Sequence, residues 1–155
     1  LRKCVALVRA SKTVDGRPEI ALEIAAEAPS FVRADEAHLT QIVMELLENA
    51  VAHSDASGRI AVQALRAEDG GVRLAVSDCG PGMPAREIAR LTEAFTQSDE
   101  RLSRSREGAG LGLAIVRTLA DLHDGRITIR NRRAGGTVVE VTLPASRSLP
   151  EAVAA

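Results

Sequence analysis

The chain has 155 residues, of which 45% are hydrophobic and 26% are charged, a composition typical of one globular domain. Lys and Arg total 20 against 21 Asp and Glu, so there is no basic surplus with which to bind a polyphosphate backbone. Because the chain also has two Phe and no Trp or Tyr on which bases could stack, we expect no nucleic-acid partner.

The ends of the chain differ from its middle. Residues 1–14 begin with Leu1 rather than Met and indicate the end of a preceding helix or linker, whereas residues 146–155 indicate a flexible tail. We expect one domain at residues 15–145. We also expect a cytoplasmic segment without membrane contact, since no apolar run approaches the ~20 residues that cross a bilayer. Cys4 and Cys79 lack the spacing of zinc ligands and indicate no disulfide framework.

Five segments alternate apolar and polar residues, as strands with one solvated face do. In chain order they begin near Ile20, Ile60, Val72, Ile127 and Val139. Gly-containing turn clusters at residues 68–71 and 133–136 join the second segment to the third and the fourth to the fifth. Each cluster therefore predicts a β-hairpin.

Three segments have helical periodicity. The first runs from Leu39 to Val51, with Asp35 as its N-cap, and the second follows Met83, with Pro84 at its first position. The third is predicted from Gly110 to His123, with Gly125 ending it and a buried face made of Leu111, Ile115, Leu119 and Leu122. These elements predict an α/β two-layer sandwich: a mixed, mostly antiparallel five-stranded sheet with helices packed on one face.

Two glycine clusters flank a polar stretch at residues 96–107, which is long enough to predict a functional loop. One, at residues 78–82, follows a strand, and the other, at residues 108–112, opens the third helix, where backbone amides could bind phosphate. Tight turns and close packing would explain either cluster equally well. The spacing fits neither a P-loop nor a dinucleotide fingerprint.

The long first helix carries two further candidates. Glu45 and Asn49 lie four residues apart and therefore share one stripe at the edge of the apolar arc. A carboxylate beside an amide oxygen suits a magnesium ion or the activation of an in-line nucleophile. A solvated helix face is the alternative interpretation of the same pair.

The order of these motifs resembles the ATP-binding catalytic domain of sensor histidine kinases over residues 15–144. The resemblance rests on the helix around Asn49, on Asp78-Cys-Gly-Pro-Gly-Met, on Phe95, on Gly-Ala-Gly-Leu-Gly-Leu-Ala-Ile-Val from Gly108, and on Gly-Gly-Thr at residues 135–137. The wider superfamily, called GHKL, includes gyrase and the Hsp90 chaperones. Its fold, the Bergerat fold, is the two-layer sandwich expected above.

The resemblance implies an adenine subsite and a magnesium ligand. Asp78 matches the aspartate that accepts a hydrogen bond from the adenine amine, and Gly80 and Gly82 make room for the base, with Met83 beside them. Asn49 matches the asparagine that holds Mg²⁺ against the phosphates of ATP. His53 lies where the family often has an aromatic ring over the adenine.

The resemblance also implies a phosphate subsite. Residues 96–107 match the ATP lid, in which Arg104 is a candidate to meet the phosphates, and Thr137 lies in the last glycine box. The residues expected at the phosphates or beside them on the third helix are Gly108, Gly110, Leu111, Gly112 and Leu113.

Some positions depart from the family pattern. Glu45 stands where many of these kinases have asparagine and other branches have a glutamate acting as general base, so we expect it to be catalytic. Ala52 replaces a common Lys or Arg, and Thr92 replaces a Phe.

No phosphoacceptor histidine is visible. We therefore expect the acceptor on a dimerisation and histidine-phosphotransfer domain of the same parent protein, with a response regulator downstream. The alternatives are a degenerate nucleotide-binding module without kinase activity and a hydrolytic ATPase that uses Glu45 as its base.

Overall fold

The computed structural model describes residue 6 and residues 18–29, 31–55, 57–93 and 110–149. The expectations for residues 1–5 and 7–14, for Phe95, for the loop at residues 96–107 with Arg104, for Gly108 and for residues 150–155 concern residues outside this description. In chain order the elements are β1 (Glu19–Ile24), β2 (Phe31–Val32), α1 (Glu36–His53), β3 (Arg59–Arg66), β4 (Val72–Ser77), α2 (Ala85–Glu93), α3 (Gly110–Asp121), β5 (Arg126–Asn131), β6 (Thr137–Leu143), a 3-10 turn (Ala145–Arg147) and β7 (Ser148–Leu149).

The main sheet has five strands in the order β1-β3-β4-β6-β5. β1 runs parallel to β3, with Ile20 opposite Ile60, because the chain returns through α1 between the two strands. The other three pairings are antiparallel, and β3–β4 and β5–β6 are joined directly by turns. The predicted hairpins and the mixed, mostly antiparallel sheet are therefore confirmed.

The core lies between one face of this sheet and the helices. α1 buries Ile42, Val43, Leu46, Leu47 and Ala50, and these pack with Ile60, Val62, Val76, Val139 and Val141 of the sheet. The other face carries polar pairs, including Gln63 with Glu23 and Arg130 with Glu140. The α/β two-layer sandwich predicted from the sequence is confirmed. No helix among the described residues is long and apolar enough to cross a membrane.

The start of α1 is tied to the end of α3. Asp35 is the N-cap, as predicted, because its Oδ1 accepts from the His38 N–H at 3.0 Å. That bond lowers the pKa of the Asp35 carboxyl below its ordinary value. The buried His123 ring accepts the Asp35 N–H at Nε2 and donates from Nδ1 to the Leu119 carbonyl, since a carbonyl can only accept.

Of the four residues predicted to be buried on α3, Leu119 packs half-buried against the core as predicted, but the other three do not. Leu111, Ile115 and Leu122 are 59%, 40% and 60% exposed, whereas Leu113, Val116 and Ala120 are buried in the core. Both stripes of this helix are apolar, so the periodicity alone cannot tell which one faces the sheet. The helix therefore presents an exposed apolar stripe made of Leu111, Ile115 and Leu122, which we call the α3 stripe.

The end of α3 also differs in detail from the prediction. Asp124, rather than Gly125, has the left-handed backbone conformation, with a φ of 56°. The Gly125 N–H donates back to the Ala120 carbonyl at 2.9 Å. A Cβ on Gly125 would lie 2.7 Å from the Thr142 carbonyl oxygen, so glycine is required there for close approach to β6.

A small second sheet was not predicted. β7 lies within the segment expected to be a flexible tail, yet it pairs antiparallel with β2. Arg147 secures this pairing: its carbonyl accepts from the Arg33 N–H, and its guanidinium contacts Asp124 at 2.9 Å. Strands of two residues carry too little periodicity to be recognised in a sequence. At the end of β1, Ile24 is exposed although it lies on the same face of the strand as the buried Ile20.

Candidate functional site

Asp78 lies at the centre of the candidate site. It follows β4 directly, and its side chain is only 5% exposed. Its Oδ1 accepts two backbone hydrogen bonds, from Gly80 at 2.9 Å and from Thr137 at 3.1 Å. The Asp78 N–H in turn donates to the Thr137 carbonyl at 3.0 Å, so β6 holds both the backbone and the side chain of this residue.

The other carboxylate oxygen of Asp78, Oδ2, accepts no hydrogen bond within the described part of the chain. A carboxylate oxygen that no described protein group occupies, on a side chain otherwise held in place, is suited to accept a proton donor from a ligand. Thr137, itself buried, helps to fix the orientation in which Oδ2 is left free.

Close backbone approaches surround Asp78. A Cβ on Gly80 would collide with the His53 carbonyl oxygen, and a Cβ on Gly136 would collide with the Asp78 carbonyl oxygen. Gly82 and Gly136 also have φ angles of 83° and 90°, which side chains disfavour. The glycines predicted from sequence at positions 80 and 82 are thus required by the packing of this loop.

Two residues that the sequence analysis missed hold the loop from the β5–β6 hairpin. The Arg132 guanidinium donates to the Asp78 carbonyl at 2.8 Å. Asn131 bonds to both backbone groups of Met83, accepting from its N–H at 2.8 Å and donating to its carbonyl at 2.7 Å. One sequence pattern could have pointed to Asn131. It continues the alternation of Ile127 and Ile129 and therefore lies on the same face of β5 as they do.

α1 contributes the residues predicted at its edge. Glu45 and Asn49 are half-buried, one turn apart, and His53 is exposed in the last turn. Gln41, one turn before Glu45, donates from Nε2 to Glu45 Oε1 and so orients the carboxylate. The sequence analysis did not single out Gln41, although it stands at the same spacing on the same stripe.

The first turn of α3 lies against Glu45. A Cβ on Gly112 would be 2.8 Å from Glu45 Oε2, so the carboxylate of α1 reaches the glycine-rich helix start. Gly110 is the first residue of that helix, Leu111 is exposed, and Leu113 is 1% exposed in the core. The side chain of Leu113 is therefore packed against the protein, and only its backbone is available to a ligand.

The residues present fit a magnesium ion that is bound together with a phosphate substrate. Among the described residues there is no group of three His, Cys, Asp or Glu that could hold a metal by themselves. Mg²⁺ in nucleotide sites commonly takes one or two side-chain oxygens and completes its shell with phosphates and water. The Asn49 amide oxygen and the Glu45 carboxylate, one turn apart on α1, provide that kind of donor set.

Comparison with known proteins identifies the family. Residues 34–147 match the family described as histidine kinase-, DNA gyrase B- and HSP90-like ATPase. The chain is 40% identical over 122 residues to the sensor histidine kinase component HK1 of Mycobacterium tuberculosis, covering 79% of this chain and 70% of that protein. It is 38% identical over 117 residues to an uncharacterised sensor-like histidine kinase of Rhizobium meliloti, covering 76% of this chain but only 22% of that longer protein.

Solved structures agree with this assignment. The mycobacterial sensor histidine kinase MprB superposes with a TM-score of 0.73 at 29% identity, over 96% of this chain and 93% of that one. The catalytic domain of histidine kinase ThkA superposes with a TM-score of 0.74 at 25% identity, over 93% and 89% of the two chains. The chain therefore belongs to the histidine kinase-, gyrase- and HSP90-like ATPases, as a sensor histidine kinase ATP-binding catalytic domain with the Bergerat fold.

Proposed function

We propose that this domain binds Mg-ATP between α1, the first turn of α3 and the loop from Asp78 to Met83, and transfers the γ-phosphate to a histidine. The acceptor belongs to a dimerisation and histidine-phosphotransfer domain of the same parent protein, which passes the phosphate to a response regulator. The observation that carries the proposal is the buried Asp78 carboxylate, with one oxygen held by two backbone N–H groups and the other without a donor among the described residues.

The free oxygen supports recognition of adenine. An adenine amine is a donor, whereas a guanine or hypoxanthine presents an acceptor at the same position of the ring. Asp78 Oδ2 therefore accepts from adenine and repels the 6-oxo bases. Gly80, Gly82 and Met83 leave room for the ring, and His53 at the end of α1 lies over it.

The phosphates are assigned to the other end of the groove. Backbone amides at the start of α3, from Gly110 to Leu113, are assigned to the phosphates, together with Gly108 and Arg104 from the sequence motif, and Thr137 completes the last glycine box. Asn49 holds Mg²⁺, which neutralises phosphate charge when it is bound. Glu45, oriented by Gln41 and in contact with Gly112, is the catalytic carboxylate.

The chemical step is an in-line transfer in which positioning and charge neutralisation supply most of the catalysis. A ring nitrogen of the acceptor histidine forms a bond to the γ-phosphorus, the bond to the bridging oxygen breaks, and ADP leaves. Glu45 accepts the proton that the acceptor ring gives up. The α3 stripe supports docking of the acceptor domain beside the phosphates, because it exposes Leu111 in the same turn as Gly112.

Two measurements test the proposal. Calorimetric titration with ADP and ATP, with and without magnesium, should show binding that magnesium strengthens for ATP. Incubation with γ-labelled ATP should label a supplied dimerisation domain on histidine and leave His38, His53 and His123 of this chain unlabelled. Binding without transfer would support the degenerate module instead, and phosphate release without transfer would support a hydrolytic ATPase.

A further inference from the structure

Asn131 makes an unusual two-point contact with a distant part of the backbone. Its Oδ1 accepts from the Met83 N–H at 2.8 Å, and its Nδ2 donates to the Met83 carbonyl at 2.7 Å. The two residues are 48 positions apart, so no local turn explains the contact. A side-chain amide bonded in this way replaces the pair of hydrogen bonds that a neighbouring strand would make.

The register of β5 makes this residue conspicuous. Side chains alternate between the faces of a strand, so Asn131 lies on the same face as Ile127 and Ile129, which are partly buried against the core. Arg130, on the opposite face, pairs instead with Glu140 at 3.2 Å. Asn131 therefore ends an apolar series on this face of β5 and binds the loop from Asp78 to Met83 instead of packing in the core.

The two ends of the loop are held by different residues. Thr137 and Arg132 bond to Asp78 at its beginning, whereas Asn131 bonds to Met83 at its end. Gly82 lies directly under the Asn131 amide, since a Cβ at position 82 would be 3.1 Å from Asn131 Oδ1. Gly82 also has a φ of 83°, a conformation that glycine adopts without the strain that a side chain would cause.

We propose that Asn131 is a positioning residue for the base subsite: it holds Gly82 and Met83 at the distance from Asp78 that a planar ring requires. This inference rests on the proposed function, because it assigns the loop to nucleotide. Losing Asn131 would leave Asp78 in place but let the far wall of the subsite shift. The loss of Asn131 would therefore weaken binding of the base. It would leave the contacts of the phosphates unchanged, because those contacts lie at α3.

Asn131→Ala tests this role, with Arg130→Ala as the matched control on the same strand. Loss of two ordinary hydrogen bonds predicts that Kd for ADP and ATP rises by the same factor, about 5- to 150-fold. KM for ATP should rise with it, while kcat for transfer to a supplied histidine domain at saturating ATP stays unchanged. The isosteric Asn131→Asp keeps the acceptor for the Met83 N–H but sets a carboxylate oxygen against the Met83 carbonyl oxygen, so its affinity should fall at least as far as that of Asn131→Ala. Arg130→Ala should bind like the wild type, since an exposed ion pair contributes little.

The outcomes separate this inference from the proposed function. Wild-type affinity in both Asn131 variants, in a chain that binds ADP, would overturn the inference alone. An equal loss in Arg130→Ala would also overturn it, because that result would indicate general weakening of the fold. A fall in kcat with unchanged KM would overturn it too, because the effect would then lie on the transfer step rather than on binding of the base. A wild-type chain that binds no nucleotide would overturn the proposed function and this inference with it.

Discussion

Replacing Asp78 by Asn changes one atom of the proposed adenine contact and leaves the loop its internal hydrogen bonds. The introduced amide oxygen can take the place of Oδ1 and accept from Gly80 and Thr137. The amide nitrogen then takes the place of Oδ2 and faces the adenine amine, donor against donor. The opposite orientation would face two backbone N–H groups with a third donor, so the first is strongly preferred.

The magnitude follows from these contacts. A hydrogen bond to a charged acceptor contributes about 1.5–3 kcal/mol, so its loss should raise Kd for ADP by about 10- to 150-fold. Stability should change less, because both backbone donors keep an acceptor. Asp78→Ala would instead leave the Gly80 and Thr137 N–H groups buried without acceptors, at a cost of about 1–3 kcal/mol each. Asp78→Asn is therefore the variant that separates binding from folding.

Calorimetric titration with ADP and with IDP, together with thermal denaturation, would measure these effects. The wild type should prefer ADP, whose base donates to Asp78, over IDP, whose base presents an acceptor. The Asp78→Asn side chain offers a donor at the same place, so this variant should lose that preference or reverse it. Unchanged ADP affinity in a folded Asp78→Asn variant, with no change in base preference, would refute the assignment of Asp78 to adenine.

Three further predictions concern other parts of the domain. Glu45→Gln should leave ATP affinity nearly unchanged while slowing phosphotransfer to a supplied histidine domain by about 10²- to 10⁴-fold, because proton removal matters only in the transition state. A parallel loss of Mg-ATP affinity would assign Glu45 to the metal instead, and full activity would remove it from the mechanism. Ile115→Glu, on the α3 stripe, should reduce that transfer without changing ADP affinity, whereas Thr128→Glu, exposed on β5, should change neither. Equal transfer rates for these two variants would contradict docking on the stripe. The lowered pKa of Asp35 means that its carboxylate stabilises the fold above about pH 4 and loses this effect as the pH falls through the folded-state pKa. The stability gap between wild type and Asp35→Asn, measured by urea denaturation, should therefore close on acidification, and a gap independent of pH would contradict the capping argument.

Local sequence patterns were enough to predict the five strands of the main sheet, the three helices and several residues of the candidate site. Strands, hairpins and α1 follow from local periodicity, turn residues and the Asp35 cap, which depend on neighbours a few residues away. Asp78, Gly80 and the glycines of α3 were also predicted, because they belong to motifs that are contiguous in the chain. The five-stranded sheet followed from the same local patterns once the strands were counted.

The buried face of α3, the second sheet and the contacts of the β5–β6 hairpin with the loop depend on how distant segments pack together. Both stripes of α3 are apolar, so the choice of Val116 for the core and Ile115 for the surface depended on how the helix packs against the sheet. The pairing of β7 with β2 joins residues more than a hundred positions apart, and strands of two residues leave no periodic trace. The bonds of Asn131 to Met83 and of Arg132 to Asp78 also join segments that are distant in the chain. A side-chain hydrogen bond between distant segments has no sequence period, and it forms only after the core has brought the segments together.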